Sequence, residues 1–178
     1  MRPVFLLVLA SLTTSQVLIA GEEIQRLVDA LCGRWSITQQ NADDTTVRGE
    51  EAWYVAPGGT PLVEEYRVKD SGGRDIADYA TIWWDAAIHR YSGSWCADFT
   101  DEGCTPFDAE WHGSTIELRG TYSVHGKHFR WRELFEISSH DSFTQTLYIG
   151  ADGEELRLRT SAHGTRLAAS ASPSTKPQ

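Results

Sequence analysis

The chain has 178 residues, 40% hydrophobic and 23% charged, and its 25 acidic against 16 basic side chains leave a net charge of −9. That length suits one domain with a full core. The acidic balance, with no compact basic patch, argues against nucleic acid and anionic membrane as partners.

The chain opens MRPVFLLVLASLTTSQVLIAGEE. Arg2 precedes an apolar run over 4–12, then small and polar residues lead to Ala20-Gly21. This is the layout of a secretory signal peptide. The run is shorter than the roughly 20 apolar residues needed to span a bilayer. The expectation is a signal segment over 1–20, a secreted or periplasmic protein, and a folded domain over 21–166. The last segment, over 167–178, is small and polar (LAASASPSTKPQ) and is expected to be disordered.

In EEIQRLVDALC, over 22–32, Ile24, Leu27, Val28 and Leu31 recur at helical spacing. Two acids in the first turn suit the helix dipole, and Gly33 is a natural stop. After this the period becomes two. RWSITQQ, TTVRGEEAWYV, PLVEEYRVK, IADYATIWW, IHRYSGSWC, FDAEW, TIELRGTYSV, HFRWRELFEI, SFTQTLYI and ELRLRTS follow one another across short, mostly glycine-containing turns. Short connections pair successive strands antiparallel. A meander of about ten strands removes its exposed edges by closing. The predicted fold is therefore all-β: a closed antiparallel up-and-down barrel with one short N-terminal helix.

Alternation assigns the faces. Phe129, Trp131, Phe135 and Ile137 share a face with Glu133; Leu62, Tyr66 and Val68 share one with Glu64. Phe143, Leu147 and Ile149 are joined by Gln145; Ile116, Leu118, Tyr122 and Val124 are joined by Gly120, which keeps that face open. Each inner face thus carries apolar rings with an occasional polar anchor, as in a barrel that holds a ligand. The candidate ligand-binding residues are Trp53, Glu64, Tyr66, Trp84, Trp111, Tyr122, Trp131, Glu133, Phe143 and Gln145. Packing alone is the competing account of the tryptophans.

WCADFTDEGC, over 95–104, closes on two cysteines with acids between them. In an exported protein, Cys96 and Cys104 at the ends of a short turn read as a disulfide. A metal site built on Asp98, Asp101 and Glu102 is the alternative, but the spacing departs from the calcium-loop pattern and no histidine is near. Two free thiols are the third reading. Cys32 is left over and is expected to be a buried, inert thiol.

CGRWS places Gly33 and Trp35 at the start of the first strand, directly after the helix. This resembles the G-x-W signature of lipocalins and other calycin barrels. The resemblance implies that Trp35 closes one barrel end beneath an arginine of the last strand, here Arg157 or Arg159, with cation–π stacking as the reason arginine suits the place. A longer resemblance covers most of the chain: Gly33-x-Trp35, then GGTPLVEEYRV, ATIWWDAAIHRYSGSW and GADGEELRLR. It is similar to the bacterial family catalogued as domain of unknown function 1579. Gly58, Gly59, Glu64, Glu65 and Tyr66 match that family's first element, and Asp85, Tyr91 and Trp95 its second, while Trp83-Trp84 stands where the family has Gly-Tyr. The resemblance implies a lipocalin-like barrel and no assigned activity.

Glu64 and Glu133 are the candidate catalytic pair, since burial in an aromatic cavity raises a carboxyl pKa into the range for acid–base work. The bland account gives each a buried hydrogen bond or ion pair, Arg90 being one partner. G-x-S-x-G, HExxH and phosphate loops are absent. Four of the six histidines, His112, His125, His140 and His163, are expected in turns, and the haem-binding motifs of a related barrel group are missing, so no cofactor and no metal is expected. A small hydrophobic or aromatic ligand, an acid–base enzyme and a solid-core interaction protein remain as three functional classes, and the sequence says nothing of oligomeric state.

Overall fold

The computed structural model describes residues 21–69 and 72–168. The expected signal segment and residues 169–178 of the expected tail lie outside the described residues. Helix α1 covers 21–31. Ten strands follow: β1 Gly33–Asn41, β2 Thr46–Val55, β3 Leu62–Lys69, β4 Asp75–Asp85, β5 Arg90–Ala97, β6 Cys104–His112, β7 Thr115–Val124, β8 Lys127–Ser139, β9 Ser142–Ala151 and β10 Arg157–Arg166. Each pairs antiparallel with its neighbours in sequence, and β1 also pairs with β10, closing the barrel. The up-and-down order follows from the short turns, and closure leaves no strand edge exposed.

Two strands run further than the hydrophobic pattern predicts. β6 starts at Cys104, where that residue faces Cys96 directly across the ladder. β10 continues past Ser161 through AHGTR, a stretch with little apolar signal. Its inward positions are Ala162 and Gly164. The Phe143 ring lies so close over Gly164 that a Cβ there would come within 2.4 Å of it. Small residues on β10 thus accommodate a large ring on β9.

The end of the barrel beside α1 is packed solid. Trp35, Phe143, Phe135, Leu62, Ile82 and Ile116 join Leu27 and Leu31 of the helix in one buried cluster. Trp35 meets Phe143 edge-on with centroids 4.7 Å apart, and Phe135 lies 5.5 Å from Phe143. Burying each such side chain contributes roughly 1.5–3 kcal/mol. The helix is tied on by polar contacts as well. The Trp35 indole N–H donates to the Leu31 carbonyl at 2.8 Å, and the Arg26 guanidinium lies 4.1 Å over the Trp111 ring.

The arginine above Trp35 is Arg166, at 4.1 Å from the ring, and neither Arg157 nor Arg159, both of which are exposed. β10 runs toward this end, so only its last residue reaches the level of Trp35, with which it is paired in register. Arg166 donates to the carbonyls of Cys32, Ala30 and His140. It thereby caps the C-terminal end of α1, where a cation also suits the dipole. Gly33 has a φ of +142°, and a Cβ there would stand 2.3 Å from the Arg166 guanidinium. The G-x-W pattern and the terminal arginine are therefore one device. Leu167, counted with the tail in the sequence reading, donates its N–H to the Arg34 carbonyl at 2.7 Å.

Cys96 and Cys104 form a disulfide, and Cys32 is free and half-buried. The acids between the bridged pair bind backbone. Asp101 accepts from the N–H groups of His125 and Gly126 at 2.9 and 2.8 Å, and Glu102 accepts from Ser123 at 3.0 Å. These donors hold both carboxyls below the usual range. The loop over 98–103 is thus anchored to the β7–β8 turn. Replacing both bridged cysteines by serine is expected to lower stability by about 2.5 kcal/mol, the loop-closure entropy of so short a loop. Urea unfolding of the variant and of the reduced protein measures it.

Candidate functional site

The strand register places four carboxyls on the inner wall near mid-height. Glu51 lies on β2, Glu64 on β3, Asp78 on β4 and Glu133 on β8. Glu51 faces Trp35 and Tyr66 across its ladders, Glu64 faces Trp53 and Ala80, and Asp78 faces Tyr66 and Ala97. Glu133 sits across the barrel between Leu118 and Leu147. Among the described residues the inward-facing basic ones are at the barrel ends: Arg166 behind Trp35, and Arg157 opposite Ile149 near the mouth. Arg90, the expected partner for an inner glutamate, points away from them; its guanidinium is 3.9 Å from Asp108 in an exposed pair.

Uncharged groups hold these acids. The Trp53 indole donates to Glu51 Oε1, and Gln145 Nε2 donates to Glu133 Oε1 at 2.9 Å. Tyr66 donates its hydroxyl to Gln39 Oε1. Three buried polar atoms on the inner wall have no hydrogen-bond partner among the described residues: Glu51 Oε2, Thr105 Oγ1 and Trp131 Nε1.

Burial without a cation shifts the acids in one direction. Desolvation is the largest cause for all four. It pushes Glu51 and Glu133 up to about 8, Asp78 up to about 7, and Glu64 well above the ordinary range. Mutual repulsion adds to this: the charges of Asp78 and Glu133 raise Glu51, and all three raise Glu64. Hydrogen bonds from Trp53, Trp95 and Gln145 pull Glu51, Asp78 and Glu133 partly back. The Tyr66 phenol is raised by the same burial and charges.

Above this layer, toward the disulfide end, the wall is aromatic. Trp95 is 6.2 Å from Trp131, 5.7 Å from Tyr122 and 5.7 Å from Phe99. Tyr122 stacks on Phe129 at 5.3 Å, and Phe107 meets Trp131 edge-on. Gly120 does not keep its face open: the Trp131 indole covers it, and a Cβ there would be 2.7 Å from the ring. Phe99 is 48% exposed at the rim. Trp95, Tyr122 and Ile149 below it are half-buried, and so are Asp78 and Glu133 although the wall surrounds them. A water-sized sphere therefore still touches side chains from the rim down to the acids.

The structure divides the expected site residues into groups. Glu64, Tyr66, Tyr122, Trp131, Glu133 and Gln145 share this interior. Trp53 forms its floor, edge-on to Phe135 at 6.0 Å. Phe143 is fully buried in the solid end and meets no open space. Trp84 and Trp111 belong elsewhere. They line a cleft of about 500 Å³ between α1 and the barrel rim, together with Tyr91, Arg90 and Glu117. Glu51, Asp78 and Trp95 were not among the expected residues. Counting back two from Trp53 finds Glu51, and counting back from Ile82 through Ala80 finds Asp78. Adjacent acids in GEEAW and adjacent small residues in IADYA blur the phase there.

No family model matches the chain, and no curated protein matches it. Among solved structures it is similar to Rv2717c from M. tuberculosis, at 12% identity over 82% of this chain and 97% of that one, with a TM-score of 0.55. It is similar to the S-type phycobiliprotein lyase CPES from Guillardia theta, at 10% identity over 82% of this chain and 93% of that one, with a TM-score of 0.51. A redesigned β-barrel, mFAP1, solved bound to DFHBI, matches at 18% identity over 79% of this chain and 99% of that one, with a TM-score of 0.47. At such identities the likeness speaks for architecture alone, and the architecture is a closed, ten-stranded, lipocalin-like barrel.

Proposed function

We propose that this protein is an exported barrel that binds a small hydrophobic or aromatic molecule in its interior. The observation that carries the reading is the half-buried aromatic pair Trp95 and Tyr122, backed by the buried Trp131 ring and standing above a layer of polar anchors. Rings facing partly open space offer apolar area to a ligand, and anchors below fix its orientation. The signal-like segment over 1–20 supports export. Gly58, Gly59, Glu64, Glu65 and Tyr66 support kinship with the family of domain of unknown function 1579.

The tryptophans report occupancy. Titrating the folded protein with retinoids, fatty acids and small aromatic compounds is expected to shift or quench tryptophan emission saturably, with Trp95→Phe and Trp131→Phe each removing part of the change. No response from any compound, at concentrations up to a millimolar, overturns the reading. An acid–base enzyme using Glu64 and Glu133 is the second reading, favoured by burial raising both carboxyls of the inner wall. It requires turnover of a bound compound that disappears in Glu133→Gln.

A further inference from the structure

We propose that the interior takes an organic cation: an amine whose ammonium sits among Glu51, Glu64, Asp78 and Glu133, and whose aromatic or alkyl body lies against Trp95, Trp131 and Tyr122. This rests on the interior being the binding site and deepens that reading by naming the ligand's charge.

The argument starts from an imbalance. Three acidic side chains come from the adjacent strands β2, β3 and β4 and a fourth from β8 across the barrel, and among the described residues the inward-facing arginines stand at the two ends. Natural interiors seldom gather carboxyls without a partner, because desolvating each one costs several kcal/mol unless a positive group or several donors meet it. A purely greasy ligand has no use for them. Hydrogen bonding inside the protein does not exhaust them either: Glu51 is fully buried, and its Oε2 meets no donor among the described residues. Glu51 lies within reach of the charges of Asp78 and Glu133, and its own charge raises Glu64.

The spacing selects the kind of cation. No three of the described His, Cys, Asp and Glu side chains are grouped to hold a metal ion. Carboxyls spread over β2, β3, β4 and β8 suit a group that presents several N–H donors in different directions, as an ammonium does. The rings above supply the rest. Indole and phenol faces attract a cation and cover the apolar carbon next to it.

Binding must also move protons. The groups facing the ammonium are Glu51 on β2, Glu64 and Tyr66 on β3, Asp78 on β4 and Glu133 on β8. Gln39 on β1 and Gln145 on β9 are neutral; Tyr122 lies above on β7; Arg157 and Arg159 stand at the mouth and Arg166 behind Trp35. Burial favours the protonated form of the unliganded acids, and Glu51 and Glu133 are pushed up to about 8. An entering ammonium stabilises the carboxylate form, so protons leave as the amine binds.

The test is calorimetric titration of the folded protein with three matched probes: 2-phenylethylamine, 2-phenylethanol and 3-phenylpropionate. Longer amines, hexylamine and tryptamine, run beside them. The amines are expected to bind at least tenfold more tightly than the alcohol and the carboxylate not to bind. Affinity for the amine should rise at least threefold from pH 6 to pH 8, and the heat should change with the buffer's ionisation enthalpy, reporting proton release. Glu64→Gln and Asp78→Asn should each bring amine and alcohol toward equal affinity; two variants guard against one that fails to fold. If alcohol and amine bind alike in the wild type, with no proton release, the cation proposal is overturned and interior binding stands. If none of the probes binds and the fluorescence panel is also silent, both readings are overturned.

Discussion

Replacing Glu51 by glutamine is expected to raise stability at pH 8 by a few kcal/mol and to leave it nearly unchanged at pH 4. Burial pushes the Glu51 carboxyl up to about 8, with added repulsion from Glu133 and Asp78 and a partial offset from the Trp53 indole. In the unfolded chain a glutamate titrates near about 4.3. Below that pH both states carry the proton and the group leaves stability unaffected by further acid. Between about 4 and 8 the unfolded chain has released a proton that the folded chain retains. Stability is therefore fully present at the acid side and is lost as pH rises through the folded value. At about 1.4 kcal/mol per pKa unit, the loss from Glu51 alone is on the order of 5 kcal/mol by pH 8 as an upper bound. The four acids share one space, so their losses do not add.

Glu117, buried on the outer face beneath two arginines, acts in the opposite window. Arg132 and Arg119 hold Glu117 down to about 2, so its contribution is present at neutrality and lost only in strong acid. Urea unfolding at pH 4, 6 and 8 separates the two. The wild-type midpoint should fall from pH 6 to pH 8, and the fall should be visibly smaller in Glu51→Gln. A wild-type midpoint that holds steady or climbs over that range would show that the inner acids are compensated in a way their surroundings do not reveal.

Arg166→Ala is expected to cost about 3 kcal/mol, a loss of roughly 10 °C in Tm. The substitution removes the stacked cation from Trp35 and leaves the carbonyls of Ala30, Cys32 and His140 short of a donor. Arg166→Lys keeps the charge and loses the planar fork, so it should recover less than half of the deficit. Trp35 is buried against Phe143, and its near-ultraviolet dichroism gives a local readout that a general loss of stability would not change under native conditions. An alanine variant as stable as the wild type would mean that Trp35 and the helix are secured by packing alone.

Much of this architecture is legible in the chain's own pattern. Alternation of apolar and polar residues, punctuated by glycine turns, marks all ten strands and the inner faces of β3, β7, β8 and β9, because a strand's two faces are written at period two in its own residues. The disulfide is legible because both cysteines flank one short turn. The G-x-W pair is legible because it sits where helix gives way to strand. Glu64, Tyr66, Trp131, Glu133 and Gln145 were assigned inward by the same alternation, and inward they are.

What the chain's pattern left open was decided by assembly. Arg166 rather than Arg157 or Arg159 meets Trp35, because strand length and ladder register set which residue of β10 arrives at that level. Trp84 and Trp111 face a cleft beside α1 instead of the interior, because the helix occupies that end. Phe143 is locked in the solid end by Trp35 and Phe135. The acidic layer is the clearest case. Glu51, Glu64, Asp78 and Glu133 lie up to 82 positions apart in the chain, and nothing local in any one strand announces the others. Period-two alternation determines the side on which a residue stands. The closure and tilt of the whole barrel determine what it stands opposite, and that distance-spanning fact exists only in three dimensions.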